Sequence, residues 1–186
     1  MVLRMPVTPL HVLPTLAAYL LVSKRVHLFA FFSAALLIDV EPMLYLLFGV
    51  PVPKIPLLLG GESTGVHAIT HNPFAIIILV APSMTILAKA LERMKSFWLT
   101  VFHDAVWVNR SIRSIYFSAL LGAFLHLGWD LTMHHDINLA FPIYSVPNPF
   151  INQQSLDLIW NLSLLAIPLA LMLNARRGEK LLKTVP

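Results

Sequence analysis

The chain has no cysteine, so disulfide bonds, thiolate metal ligands and thiol catalysis are excluded. Charged residues are also scarce: they make up 12% of the 186 residues, whereas 58% are hydrophobic. This balance is too apolar for an ordinary soluble domain, and several runs approach the roughly 20 residues that a transmembrane helix needs. Any metal site must therefore be built from histidine, aspartate and glutamate, within one membrane domain that has no separate soluble module.

The apolar segments predict an all-α, polytopic integral membrane protein with about five transmembrane helices in a single domain, residues 1–186. The spans cover about 8–23, 26–49, 73–91, 115–134 and 156–173, and the amphipathic stretch at about 94–109 predicts a helix lying in the membrane interface. Lys24-Arg25 after the first apolar run argues against a cleaved signal peptide. Pro42 predicts a break in the second span and Pro82 a kink in the third.

Lysine and arginine are divided unequally between the two ends of these spans. Only Arg4 and Lys54 fall at one end, and the other eleven fall at the opposite end: Lys24, Arg25, Lys89, Arg93, Lys95, Arg110, Arg113, Arg176, Arg177, Lys180 and Lys183. Basic residues concentrate on the cytoplasmic side of membrane proteins. We therefore expect a multi-pass plasma (inner) membrane protein with its N-terminus outside and its C-terminus in the cytoplasm. Membrane lipid is the expected partner, and nucleic acid is not needed to explain the net charge of +4.

The most informative stretch is residues 124–136, at the end of the fourth predicted span. Residues four apart share one face of a helix, so His126, Asp130 and His134 form a polar stripe, and His135 falls on the opposite side. Ionisable groups in an apolar span are costly to bury and mark functional sites. Imidazole and carboxylate are ligands of zinc and similar metals. The alternative is a helix end whose histidines bind lipid headgroups, which fits a single histidine better than three groups at helical spacing.

The predicted topology places further polar groups at the same, outer face of the membrane. Asp39 and Glu41 lie beside the helix break in the second span, and two acids sharing a site repel each other unless a proton or cation offsets them. His67 and His71 stand four apart at the entrance of the third span, and His11 lies at the outer end of the first. Scattered structural histidines would have no reason to segregate in this way, so one shared site is predicted.

The order of these motifs resembles a known family. His11 in a Thr-Pro-x-His start, Asp39-x-Glu41, His67-x3-His71 and His126-x3-Asp130 are similar to the membrane-bound metal-dependent hydrolases, also described as LexA-binding, inner-membrane-associated hydrolases. The ligand order is more distantly similar to that of zinc-dependent phospholipase C. The resemblance covers residues 8–136. It departs from the family where a usual His-Arg-Gly-x-Thr-His reads His67-Ala-Ile-Thr-His71 and a usual Asp-x-Asp reads Asp39-Val-Glu41.

The resemblance and the residue types together imply a site for one or two divalent ions, zinc being the expected metal. The predicted ligands are His11, Asp39, His67, His71, His126 and Asp130. Glu41 and His134 are predicted to act as the general base or to orient a ligand. A site at headgroup level favours hydrolysis of phosphoester or ester bonds in lipid-type or lipid-linked substrates. The alternatives are a metal-binding membrane protein that is not an enzyme, and a metal or proton transporter.

Overall fold

A computed structural model describes residues 12–22, 26–93, 110–146 and 148–152, together with isolated positions between 154 and 172. It is mostly helical, which confirms the predicted fold class. The helices are α1 (Val12–Val22), α2 (Leu28–Ile38), α3 (Val40–Phe48), α4 (Pro73–Arg93) and α5 (Ile112–Asp130). Two short strands, β1 (Ile55–Pro56) and β2 (Glu62–Ser63), form an antiparallel pair between α3 and α4.

Five membrane spans are not supported by this structure. Among the described residues, α4 is the one helix long and apolar enough to cross a membrane by itself, and α2 with α3 makes a second candidate that is bent by 45°. Helix α5 is long enough but not apolar enough to meet these two conditions, since it contains Arg113, His126 and Asp130. Helix α1 has 11 described residues, fewer than a span requires. The predicted interfacial helix at 94–109 and half of the predicted span at 156–173 lie outside the described residues.

The break between α2 and α3 has a local cause. Pro42 has no backbone N–H, so the carbonyl of Ile38, four residues earlier, cannot receive its usual helical hydrogen bond. That carbonyl accepts a hydrogen bond from the Thr70 hydroxyl at 2.7 Å instead. Asp39 stands between the two helices with φ −75° and ψ −7°. The predicted helix break thus leaves a backbone acceptor that draws in the segment before α4.

Helix α4 begins in a similarly well-defined way. Asn72 caps it, since its side-chain oxygen accepts a hydrogen bond from the Ala75 amide at 2.8 Å, and Pro73 occupies the first helical position. Residues Ile76–Val80 form a π-helical turn in which the Ala81 amide bonds to the Ile76 carbonyl. A wider turn immediately before Pro82 relieves the clash that a proline ring makes with the preceding turn. The structure thus shows a π-helical turn before Pro82, and the kink expected there stays a prediction.

The packed interior of the helices is lined by small residues. Helix α5 lies against α2 and α4, and six alanines belong to the buried apolar core: Ala30, Ala34, Ala81, Ala88, Ala119 and Ala123. Gly122 gives the closest approach, because a Cβ atom there would collide with the Phe31 carbonyl oxygen of α2. Small residues that let helix backbones approach closely are typical of helix packing in membranes.

The β1–β2 hairpin was not predicted; the sequence analysis treats residues 50–72 as a loop. Gly60 and Gly61 adopt φ values of +95° and +84°, which other residues rarely tolerate, and so permit the tight turn. The turn also contacts the loop after α5, since the Leu58 and Leu59 amides donate to the carbonyls of Pro142 and Ile143. This contact brings the segment before α4 close to the segment after α5.

Candidate metal centre

Two aspartates and two histidines from separate elements converge where α2 ends, α4 begins and α5 ends. This four-residue cluster consists of Asp39, His71, His126 and Asp130, all buried, and each offers a ligand atom within 4.8 Å of the others. Asp130 Oδ2 lies 2.9 Å from His71 Nε2 and 3.0 Å from His126 Nε2. Asp39 Oδ1 lies 3.1 Å from His126 Nε2 and 3.5 Å from His71 Nε2.

Local structure explains why these side chains meet. His126 and Asp130 stand four residues apart on α5, so they share one face of the helix. Asp39 is held at the corner between α2 and α3, and α2 is the helix against which α5 packs through Gly122. His71 reaches the same point from the turn that precedes the Asn72 cap of α4. One helix face and two helix ends therefore form the cluster.

The hydrogen bonds around Thr70 determine the tautomer of His71. The Thr70 hydroxyl lies 2.7 Å from the Ile38 carbonyl oxygen, 2.9 Å from Glu41 Oε2 and 3.1 Å from His71 Nδ1. A hydroxyl has one hydrogen, and the carbonyl and carboxylate oxygens can only accept, so Thr70 must accept from His71 Nδ1. His71 therefore carries a proton on Nδ1, and Nε2 is the nitrogen that faces the two carboxylates.

That arrangement fits a cation. His71 Nε2 and Asp39 Oδ2 are buried and have no hydrogen-bond partner among the described residues, although His71 Nε2 lies 2.9 Å from a carboxylate oxygen. A nitrogen lone pair facing two carboxylates is repulsive unless positive charge lies between them. Ligands about 2.1 Å from a tetrahedral zinc ion are separated by about 3.4 Å, which is comparable to the spacings here. These four residues could hold a metal ion.

Electrostatics at His71 indicate the same demand for positive charge. Burial alone would lower the pKa of His71, but the Asp130 and Asp39 carboxylates beside Nε2 raise it above its ordinary value. The site thus favours a positive charge at this nitrogen, which either a proton or a metal ion can supply. Metal ligation by histidine requires the neutral ring, so the two compete for the same lone pair.

Glu41 supports the cluster from behind. Its Oε2 atom accepts hydrogen bonds from the Ile69 amide at 2.9 Å and the Thr70 amide at 2.7 Å, and it lies 2.9 Å from the Thr70 hydroxyl oxygen. Glu41 itself is buried and follows Asp39 in the first turn of α3. It therefore ties the segment that carries His71 to the helix that begins at Asp39.

A three-residue cluster lies beside the first and consists of His67, His134 and Asp136. His67 Nδ1 lies 2.9 Å from both Asp136 carboxylate oxygens, and the His67 amide donates to Asp136 Oδ2 at 3.2 Å. Burial alone would raise the pKa of Asp136, but hydrogen bonds from His67 lower it to about 2. The His134 ring lies 4.1 Å from the His67 ring between centroids, and His134 Nε2 lies 4.0 Å from Asp130 Oδ1.

The structure separates the residues proposed from the sequence into distinct groups. Four of the six predicted ligands form the four-residue cluster, whereas His67 belongs to the neighbouring cluster with His134. Helix α5 ends at Asp130, earlier than the predicted end of the span, so His134 lies in the turn that follows. His11 lies outside the described residues. His135 is exposed but also lies beyond the end of α5, so the helical period from which its outward position is predicted does not apply to it.

Asp136 is the site residue that the sequence analysis did not assign. It lies in a turn beyond α5, where no helical or strand period indicates the direction of a side chain. Gly65 could have provided one signal. A Cβ atom at Gly65 would lie 2.8 Å from Asp136 Cβ and Oδ2, so this glycine leaves room for the carboxylate beside His67.

Comparison with known proteins does not assign the chain to a family. No protein-family profile matches it, and neither the curated proteins nor the solved structures include a significant match. The resemblance to the membrane-bound metal-dependent hydrolases stays a prediction that rests on the motif order.

Proposed function

We propose that this protein is a multi-pass plasma membrane hydrolase that uses a divalent metal ion, with zinc expected, to cleave phosphoester or ester bonds of lipid-type substrates at the outer face. The observation that carries the proposal is the four-residue cluster, in which two imidazoles and two carboxylates with little or no solvent exposure lie within 4.8 Å of one another. Buried charges of this kind need a counter-charge or coordination to be stable. The chain's resemblance to membrane-bound metal-dependent hydrolases points in the same direction.

The surface of the helices supports a membrane setting. Large apolar side chains are exposed on three of them: Leu46 of α3 is 66% exposed, Ile86 of α4 71% and Phe117 of α5 65%. Meanwhile the interior contains the charged cluster and small residues. Extended exposed apolar surface marks contact with lipid or with another protein. Basic residues collect at one end of the spans predicted from the sequence. This asymmetry favours an N-terminus outside and a C-terminus in the cytoplasm.

The reaction assigned to the site follows from its ligand types. A divalent ion held by imidazoles and carboxylates lowers the pKa of bound water and polarises a phosphoryl or carbonyl oxygen. Thr70 fixes the orientation of His71 by accepting its Nδ1 proton, and Glu41 fixes Thr70. We assign Glu41 to positioning and not to proton transfer, because the Ile69 and Thr70 amides donate to its carboxylate. Partners of this kind commonly contribute 10- to 100-fold to metal affinity or activity.

An apolar groove supports a lipid-type substrate. It has a volume of about 420 Å³, and Glu41 and Thr70, which support the cluster, also form part of its wall. Its other lining is predominantly aliphatic and includes Leu37, Val40, Leu44, Leu79, Val80 and Met84. We assign this groove to one acyl chain of the substrate. A chain seated there would lie beside the segment that carries His71.

Transport is the weaker alternative because the buried side chains along α2 are apolar. A transporter would need ionisable or hydrated groups continuing across the membrane. Between His27 at one end of α2 and Asp39 at the other, the buried side chains of the helix are apolar: Ala30, Phe31, Ala34, Ala35 and Ile38. The buried face of α2 therefore provides no chain of ionisable groups leading away from the cluster.

Asp130→Asn tests the proposed function. The substitution keeps the size of the side chain but removes a buried negative charge that faces both His71 and His126. Metal bound per protein, measured by elemental analysis of purified protein, and hydrolysis of a fluorogenic phosphodiester lipid in vesicles should fall together. His135→Ala is the matched control, since this exposed imidazole should be replaceable without loss of either.

Each outcome of this experiment bears on a different part of the proposal. Equal metal content in the wild type and Asp130→Asn would refute the metal site. A second outcome is that Asp130→Asn loses metal but the wild type hydrolyses no phosphodiester, phosphomonoester or carboxylic ester. The protein would then bind metal without being a hydrolase. Loss of metal in His135→Ala alone would mean that the ion is held by a different set of ligands, one that includes His135.

A further inference from the structure

We propose that the three-residue cluster is a second metal position, bridged to the first by Asp130, so that the protein holds a dinuclear centre. This inference rests on the proposed function and specifies how many ions its site takes. The three-residue cluster would supply His67, His134 and Asp136 as ligands. One carboxylate, Asp130, would then serve both positions.

The orientation of Asp130 is the first observation. Its Oδ2 atom lies 2.9 and 3.0 Å from the imidazole nitrogens of the four-residue cluster, whereas His134 Nε2 lies 4.0 Å from Oδ1. The two oxygens thus face different sets of imidazoles. A carboxylate placed between two ligand sets is suited to bridge two cations, as in enzymes whose paired ions sit about 3.5–4 Å apart.

The surroundings of His134 are the second observation. Its side chain is 10% exposed, and within the part of the chain that the structure describes its ring makes no hydrogen bond, Nε2 lying 4.0 Å from Asp130 Oδ1. It packs against His67 with ring centroids 4.1 Å apart. Two adjacent imidazoles cannot both be charged without repulsion, and neutral imidazole is the form that binds metals. A role as ligand accounts for a ring with little exposure and no hydrogen bond better than a structural role does.

The anchoring of Asp136 is the third observation. Its carboxylate is fixed by the His67 amide and ring, and Gly65 keeps free the space that a side chain would fill. An ion pair between His67 and Asp136 that only joined two loops would not require His134 beside it. His134 is predicted from the sequence to act as a general base or to orient a ligand. The geometry of the three-residue cluster favours direct ligation of a metal ion instead.

The test counts ions and detects the bridge. Purified full-length protein in lipid nanodiscs is stripped of metal, reloaded with zinc and analysed for metal per chain. We expect about two equivalents in the wild type and about one in His134→Ala and in Asp136→Asn, since each removes a ligand of the second position only. His135→Ala, which alters an exposed neighbouring imidazole, should retain two. Reloading with manganese(II) adds a spectroscopic signature: the wild type should show the spin-coupled signal of a bridged pair, and His134→Ala the signal of an isolated ion.

The failures of the two proposals are distinguishable. One equivalent in the wild type, lost in Asp130→Asn but unchanged in His134→Ala, would overturn the dinuclear centre and leave the proposed function standing. Two equivalents without spin coupling would overturn the bridge through Asp130. No bound metal in a folded wild type would overturn both. If His134→Ala and Asp136→Asn each lose all metal while their unfolding temperatures stay near that of the wild type, the two positions are not separable and the inference fails.

Discussion

Replacing Thr70 with valine isolates the contribution of one hydroxyl to metal binding. Valine has nearly the same shape as threonine, but it cannot accept the Nδ1 proton of His71 or donate to the Ile38 carbonyl. Metal binding through Nε2 fixes the ring, so Nδ1–H of the bound state would then face an apolar methyl group. Thr70→Ser retains the hydroxyl and serves as the matched control.

The expected magnitude follows from the burial of His71, which has no exposed surface. Leaving one buried donor unsatisfied costs about 1–3 kcal/mol. Since about 1.4 kcal/mol corresponds to a tenfold change in a binding constant, metal affinity should fall by about 5- to 150-fold. This range brackets the 10- to 100-fold losses typical when a partner of a metal-binding histidine is removed.

The assay is zinc competition against a chromophoric chelator, with the protein in nanodiscs at constant pH. Unfolding temperatures of the variants should accompany it, because the Ile38 carbonyl also loses its donor and the fold will be less stable. Thr70→Val that binds zinc as tightly as Thr70→Ser would refute the assignment of the His71 tautomer and of Thr70 as its support. Equal weakening in both variants would show that packing of the methyl group, and not the hydroxyl, matters.

Three further predictions concern packing, substrate and topology. Gly122→Ala should lower the free energy of unfolding by about 1–3 kcal/mol or more, because the new Cβ atom meets the Phe31 carbonyl. Gly128→Ala is the control, since the space there is open, and it should be neutral or stabilising by up to about 1 kcal/mol. Thermal unfolding of the two variants measures both effects. Ser83→Trp should narrow the groove and raise KM for long-chain but not short-chain phosphodiesters, and equal effects on both would remove the groove from substrate binding. A maleimide that does not cross membranes should label Ser145→Cys in intact cells but Ala90→Cys only after permeabilisation, and the reverse pattern would invert the proposed orientation.

Some parts of the site follow from the sequence because they depend on local periods. His126 and Asp130 share a face of a helix because they stand four residues apart. Asp39 precedes Pro42 by three residues, so its place at a helix break follows from the sequence without knowledge of the tertiary structure. The partition of His67 and His71 between two clusters does not follow in this way. The same spacing of four would place them on one face of a helix, but the segment before Asn72 forms turns, with the two rings 4.5 Å apart and nearly perpendicular.

The fold shows the same division between local and long-range information. Hydrophobic runs locate α2 and α4, and proline marks their irregularities. The β1–β2 hairpin depends on the positive φ angles of Gly60 and Gly61 and on hydrogen bonds to residues some 84 positions later in the chain, namely Pro142 and Ile143. A single sequence contains no signal for contacts at that separation. Apolar runs alone also overstate the number of spans. Helix α5 is long enough to cross a membrane, but Arg113, His126 and Asp130 lower its mean hydropathy.

The helix break at Pro42 links these local rules to the proposed chemistry. Proline removes the donor that would occupy the Ile38 carbonyl, and the Thr70 hydroxyl takes its place at 2.7 Å. Because that hydroxyl then has no hydrogen left to donate, it can only accept from His71 Nδ1, and Nε2 is the nitrogen left to face Asp39 and Asp130. A residue that contributes no side-chain polar group to the cluster thus determines which nitrogen of His71 is available to a metal. Pro42 is for this reason as much a part of the candidate metal centre as the residues that would touch the ion.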